Sequence, residues 1–264
     1  MMQVRQPAVA GSFYPAEAGV LRARVEVLLA EHPDPGPVPK ALIVPHAGYL
    51  YSGSIAASAY ALLRGRAGIR RVVLLGPAHR YPVSGMALPA AELLSTPLGL
   101  VPVDLAAREL LVQHHGVRIS DAAHALEHSL EVQLPFLQVC LGEFRCVPLI
   151  VGEAAPEQVA RALDAVWGGD ETLIVVSSDL SHYHDDLTAR RLDAATGAAI
   201  VARETSLTGE QACGCRPLNG LMRYARDHGL RVVELDRRNS GDTAGGRDRV
   251  VGYGAFALYP EAPA

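Results

Sequence analysis

Leu173-Ile174-Val175-Val176-Ser177-Ser178-Asp179-Leu180-Ser181-His182 opens as an apolar run and turns polar within a residue. A short, β-branched run of this kind reads as a strand buried on both faces, as in a parallel sheet. Two earlier segments repeat the design: Ala41-Leu42-Ile43-Val44-Pro45-His46 and Val72-Val73-Leu74-Leu75-Gly76-Pro77-Ala78-His79. Each ends in a histidine just past the apolar stretch. In an open α/β sheet, ligands bind outside the carboxyl ends of the strands. Three imidazoles from distant parts of the chain are thus delivered toward one crevice, a pattern that suits a metal or an acid/base site.

Outward from these runs, helical and extended patterns alternate. Residues 17–31 carry apolar positions at helical spacing, and the proline-rich stretch His32 to Lys40 ends that helix. Ser52 to Leu63 reads as a tightly packed helix. A looser β-like region follows strand 72–76, with Pro82, Pro89, Pro97 and Pro102. Asp104 is placed to cap a helix running to about His115. His128 to Leu141 reads as a helix that Pro135 kinks or breaks. Strands at 145–151 and 172–178 precede helices at 156–167 and 186–203. A helix from Pro217 to Asp227 ends near Gly229. Strands at 231–235 and 250–258 have no helix between them and are expected to pair antiparallel. The whole reads as a three-layer α/β/α sandwich around a mostly parallel mixed sheet. No repeat or long linker interrupts it, so residues 1–264 are expected to form a single domain.

Composition narrows the function. The formal net charge is -4, and Lys40 is the only lysine among 24 cationic residues. No basic block appears, so a nucleic-acid partner is not expected. No apolar run has the length of a membrane span, and residues 1–10 lack the apolar stretch of a secretory signal. A cytoplasmic location is the expectation. Cys140, Cys146, Cys213 and Cys215 do not make a paired C-x₂-C zinc pattern, and disulfides are not expected.

Several segments carry residues able to do chemistry. Gly48 and Gly76 let the chain turn beside His46 and His79. In Ser177 to His184, an aspartate near a histidine can orient the ring and raise its basicity; the plainer alternative has Asp179 capping a turn. In Glu127-His128-Ser129-Leu130-Glu131, His128 and Glu131 are three apart and share a helix face, which suits an acid/base or supporting role. The plainer alternative is two acids favoured at a helix N-terminus. Asp242 sits in a glycine-rich loop, where a turn is the simple explanation. A flexible loop could also bring its carboxylate to two histidines, and two His with one carboxylate suit iron(II). Nothing local separates Asp242 from Asp236 or Asp248. Cys213-Gly214-Cys215 reads as a packed turn before a helix rather than as a soft-metal or redox pair.

Six motifs in order make the chain recognisable: Ala10-Gly11-Ser12-Phe13-Tyr14-Pro15, Pro45-His46-Ala47-Gly48-Tyr49, Gly76-Pro77-Ala78-His79, Glu127-His128-Ser129-Leu130-Glu131, Ser177-Ser178-Asp179-Leu180-Ser181-His182 and Asn239-Ser240-Gly241-Asp242. From about Val4 to Tyr259 the chain resembles the Memo family, called in bacteria AmmeMemoRadiSam system protein B. That family is similar in fold to class III extradiol dioxygenases, non-haem iron enzymes that open catechol rings. The resemblance implies metal ligands at His46, His79 and Asp242 and an acid/base at His182. Some relatives carry Cys where this chain has Asp242. A carboxylate there restores a two-His-one-carboxylate set and weakens any carry-over of thiolate-based copper or redox chemistry. The family name also implies an AMMECR-type protein and a radical SAM protein as partners. This chain lacks the C-x₃-C-x₂-C pattern of the radical enzyme itself.

The expected function is an Fe(II)-dependent oxidoreductase acting on an unknown small molecule. His46, His79 and Asp242 would hold the metal, His182 would move protons, and Asp179, His128 and Glu131 would tune the pocket. Two alternatives stand beside it. One is a module without turnover that handles iron or copper or binds a peptide. The other is a zinc-dependent hydrolase.

Overall fold

A computed structural model describes residues 2–32, 36–66 and 68–261. The proline-rich stretch therefore lies partly outside the described residues. The strands are β1 (Val4–Arg5), β2 (Ala41–Val44), β3 (Arg71–Pro77), β4 (Met86–Leu88), β5 (Leu93–Thr96) and β6 (Gly99–Pro102). They continue with β7 (Arg118–Ile119), β8 (Arg145–Val151), β9 (Thr172–Ser177), β10 (His182–His184), β11 (Leu230–Asn239) and β12 (Val250–Pro260). The helices are α1 (Ala18–Ala30), α2 (Tyr49–Tyr60), α3 (Leu105–His114), α4 (Asp121–Ala125), α5 (Leu134–Leu141), α6 (Pro156–Val166), α7 (Asp186–Val201) and α8 (Cys215–Asp227).

The main sheet has the order β10-β12-β2-β9-β3-β8-β4-β7, with β11 pairing β12 from Gly252 to Pro260. Its centre, β2-β9-β3-β8, is parallel throughout. The flanks are mixed: β12 joins β2 antiparallel, as do β11 and β10 with β12, and β4 with β8. A smaller sheet, β1-β5-β6, lies apart.

Why these runs form a doubly covered sheet is visible in their alternation. Leu42, Val44, Val72, Leu74, Leu173 and Val175 join one buried cluster, shared with α1, α2 and α5. Ala41, Ile43, Val73, Leu75, Ile174 and Val176 join the other, shared with α3, α6, α7 and α8. Successive strand residues point to opposite faces, so an unbroken apolar run can be buried only between two helical layers. The α/β/α sandwich is the outcome.

Two local expectations are corrected. Pro135 does not kink a helix. Residues 131–133 form a 3₁₀ turn, and Pro135 sits in the first turn of α5, where its missing N–H costs nothing. Residues 182–184, left between the expected strand at 172–178 and helix at 186–203, add a short strand to the edge of β12. Asp104 does cap α3, its carboxylate accepting from the Ala107 N–H at 3.0 Å. Lys40 is spent structurally: its ammonium donates to the carbonyls of Trp167, Gly169 and Thr172, tying the start of β2 to the turn before β9. Among the described residues, no helix is long and apolar enough to cross a membrane.

Candidate metal centre

Because β2, β9 and β3 are adjacent and parallel, the loops that leave their carboxyl ends meet. They open into a cavity of about 1040 Å³. His46, His79 and His128 converge on it, each offering a ring nitrogen within 4.8 Å of the other two. Their ring centroids are 4.8–5.5 Å apart.

Two of the three imidazoles are fixed from behind by hydrogen bonds. His46 is 2% exposed. Its Nδ1 lies 2.8 Å from Ser177 Oγ. That hydroxyl gives its own proton to the Ser129 carbonyl at 2.7 Å and also accepts from Gln133 Nε2 at 2.9 Å. It can therefore only accept from His46, which puts the imidazole proton on Nδ1 and the lone pair on Nε2. Burial, with repulsion from His79, lowers the His46 pKa to about 3, so the ring is neutral near pH 7. A neutral imidazole with Nε2 bare is the form that binds metal.

His79 is held by Glu127. Its backbone N–H donates to Oε2 at 2.5 Å, and its Nδ1–H donates to Oε1 at 2.9 Å. The His128 and Ser129 N–H groups also donate to Oε1, both at 2.9 Å. Burial alone would raise the Glu127 pKa, but the hydrogen bonds from His79 and its neighbours outweigh it and hold the group below the usual carboxylate range. An ionised carboxylate behind a histidine fixes the tautomer and raises ligand basicity. The approach needs Gly76: a Cβ there would stand 2.8 Å from both Leu130 Cδ2 and Ser129 Oγ. Without a side chain at 76, the Glu127–Leu130 turn can lie against the end of β3.

His128 packs on Phe13, with centroids 4.8 Å apart. Burial and the neighbouring His46 lower its pKa to about 4, so it too is neutral near pH 7. Its buried Nδ1 has no hydrogen-bond partner. Three converging imidazoles, two of them neutral near pH 7 and one with an orphaned nitrogen, fit a divalent transition ion, and imidazole suits Zn, Cu, Fe and Ni alike.

The other expected residues divide. His182 lines the same cavity; its Nδ1–H donates to the Leu180 carbonyl at 2.9 Å, which leaves Nε2 as the nitrogen able to exchange protons. Asp179 also lines it, but it does not orient His182. Its Oδ1 accepts from the His46 N–H at 2.7 Å, fixing the loop that carries His46. Burial raises its pKa. Glu131 faces elsewhere. It accepts from Tyr14 Oη at 2.6 Å and from the Ala8 and Val9 N–H groups at 2.7 and 3.0 Å, and it pairs with Arg5. The expected shared helix face with His128 does not form, because residues 131–133 are a 3₁₀ turn.

Asp242 is not among the residues brought together. It caps its own turn by accepting from the Asn239 N–H at 3.1 Å, and it pairs with Arg190 and, at 3.5 Å, Arg247. In this geometry His128 stands where the expected carboxylate would have been the third ligand. Cys213, expected only as part of a packed turn, lines the cavity with Sγ 3.3 Å from His46 Nε2. Gly214 permits this, since a Cβ there would lie 2.6 Å from Ser178 Cβ. Glu127 is the functional group the sequence reading passed over; an acid directly preceding His128 was the available signal.

Comparison with known proteins agrees with the six motifs. The family model for Memo-like protein matches residues 5–257. A MEMO1 family protein of Aquifex aeolicus is 36% identical, the alignment covering 96% of this chain and 98% of that protein. One from Pyrobaculum arsenaticum is 33% identical, covering 98% of this chain and all of its own. The solved structure of the uncharacterized protein JW3007 of Escherichia coli K12 overlays with a TM-score of 0.49 at 14% identity, covering 81% of this chain and 98% of that one. With the family model spanning nearly the whole sequence and relatives this similar along their full length, the chain belongs to the Memo-like protein family.

Proposed function

We propose that the protein is a metal-dependent enzyme, and that its chemistry is that of a non-haem Fe(II) oxidoreductase acting on a small molecule. The observation that carries this is the convergence of His46, His79 and His128, each neutral or held from behind by a hydrogen-bond acceptor, on an open cavity large enough for a substrate. Fe(II), when bound, would supply open coordination positions for substrate and O₂. The protein's own contribution is positional. Ser177 and Glu127 set the two imidazole tautomers, Asp179 fixes the His46 loop, and His182 Nε2 is the group able to take or give a proton at the substrate. General acid–base help of that kind is worth about 10²–10⁴-fold.

A second reading has a specific observation behind it. The third converging group is an imidazole and not a carboxylate, and three histidines with an open position are also a zinc donor set for hydrolysis. Anaerobic loading with Fe(II) or Zn(II), followed by metal analysis and a substrate screen, separates the two. Oxygen uptake that depends on Fe(II) and on added substrate supports the first reading. Turnover with Zn(II) in the absence of O₂ sinks it, and tight metal or peptide binding with no turnover leaves the protein a binding module. Wild-type metal content in His46→Ala and His79→Ala would remove the site assignment altogether.

A further inference from the structure

Among the described residues, five acidic side chains are buried: Asp104, Glu127, Glu131, Asp179 and Asp193. Four of them hold a helix cap, a histidine, the N-terminal segment and the His46 loop. Asp193, on α7, does none of these. It is 2% exposed. Arg237, whose charge reaches it, is paired with Glu234 instead. Burying a carboxyl group without a paired cation is costly, which makes Asp193 a candidate for more than packing.

Gly252 on β12 admits it. A Cβ at that position would stand 2.0 Å from Asp193 Oδ2, so a bare backbone is needed where the carboxyl group lies. There Asp193 Oδ1 accepts from the Ser181 N–H at 3.0 Å. Gly252 also fixes the chain on both sides of that bond. Its carbonyl accepts from the Leu180 N–H and its N–H donates to the Ser181 carbonyl, both at 2.8 Å. The remaining backbone group of this residue pair is the Leu180 carbonyl, and it accepts from His182 Nδ1–H at 2.9 Å.

The Ser181 N–H and the Leu180 carbonyl are the two ends of one peptide unit. A planar, resonant amide passes polarisation from end to end. An acceptor on its N–H moves electron density onto its oxygen and makes that oxygen a stronger acceptor in turn. Carboxyl group, amide and imidazole thus form one chain, and His182 carries its other nitrogen, Nε2, into the cavity wall. Asp179, the aspartate nearer in sequence, is committed to the His46 N–H.

We propose that Asp193 is the positioning residue of His182, acting through the Leu180–Ser181 peptide unit to hold a proton on Nδ1 and leave Nε2 free to exchange one. When Nε2 takes a proton, the Nδ1–H bond to the polarised carbonyl stabilises the imidazolium that results. This rests on the reading of His182 as the acid/base of the site.

The test is nitrogen-15 NMR of the histidine side chains in metal-free protein without substrate, at mildly alkaline pH, where the two neutral tautomers are told apart. The His182 signals are assigned by their loss in His182→Gln. Wild type should show Nδ1–H as the dominant form. Strengthening of a hydrogen bond by about 10–30% predicts that the ratio of Nδ1–H to Nε2–H falls about two- to tenfold in Asp193→Ala. The fall should be smaller in Asp193→Asn, which keeps an acceptor for the Ser181 N–H but not the charge. Asp193→Asn preserves the shape of the side chain and decides the matter alone if Asp193→Ala does not fold. His79, held by Glu127, is the internal control and should not change. An unchanged His182 ratio in every variant that folds would overturn the proposal. So would a change at His79 as large as at His182, the mark of general loosening. With neither metal nor substrate present, this outcome is distinct from that of the enzyme reading, which substrate-dependent oxygen uptake reports.

Discussion

Glu127 and Glu131 are four residues apart, each about 2% exposed, and each takes four or more hydrogen bonds or ion-pair contacts. Neither lines the cavity, but one holds a cavity histidine and the other does not. Glu127 spends its oxygens on His79 and on the turn that presents His128. Glu131 spends its oxygens on Arg5, Tyr14 and the N–H groups of Ala8 and Val9, pinning the first residues of the described chain to the body of the protein. The difference teaches that burial and satisfaction do not by themselves mark a functional carboxylate. What matters is which groups are oriented and where those groups point.

The comparison can be broken by substitution. The largest effect belongs to Glu131→Ala, which leaves Arg5 partly buried without its partner. Removing one member of a buried pair costs about 3–5 kcal/mol, readable by denaturant unfolding, with metal content per folded molecule unchanged. Loss of metal from the folded fraction would erase the distinction between the two acids. Next comes Glu127→Gln. Losing the carboxylate behind a ligating histidine should weaken metal binding about 10–100-fold, while stability falls less than in Glu131→Ala; an unchanged metal affinity would mean that Glu127 is structural too. Gly76→Ala then tests the close approach that puts Glu127 in place. Overpacking against Leu130 and Ser129 should cost about 1–3 kcal/mol, visible as a lower unfolding midpoint, and a neutral result would show that the turn yields easily. The smallest change is expected for Asp242→Asn. Its ion pairs are near the surface, so the loss should stay within about 1 kcal/mol, and metal content should not move. A drop in metal content would return Asp242 to the ligand set and displace His128 from it.

How far the sequence was legible follows the range of the interactions. The apolar runs of β2, β3 and β9 announce strands buried on two faces, and the topology of such sheets carries His46 and His79 to one edge. Those two positions needed nothing more. His128 and Glu127 were visible as a motif, but their roles depend on the turn at 127–130 folding back onto Gly76, which pairs residues 48 apart in the chain. Asp242 shows the same limit in reverse. A glycine-rich loop looked free to deliver a carboxylate, but Arg190, 52 residues away, holds it. Pro135 looked like a break and is a start, because whether a proline kinks a helix or opens one depends on where the helix begins.

The adjacency of β2 and β9 has a consequence in time. The contact that fixes the His46 loop, Asp179 to the His46 N–H, joins residues 133 apart. Such a pairing forms only after most of the chain has been ordered, and parallel sheets built from distant segments assemble slowly. No nascent or truncated fragment that stops short of β9 can present the complete pocket. Capture of a metal ion should therefore lag behind the formation of helices during refolding, and a metal-sensitive signal would serve as a clock for the closing of the sheet.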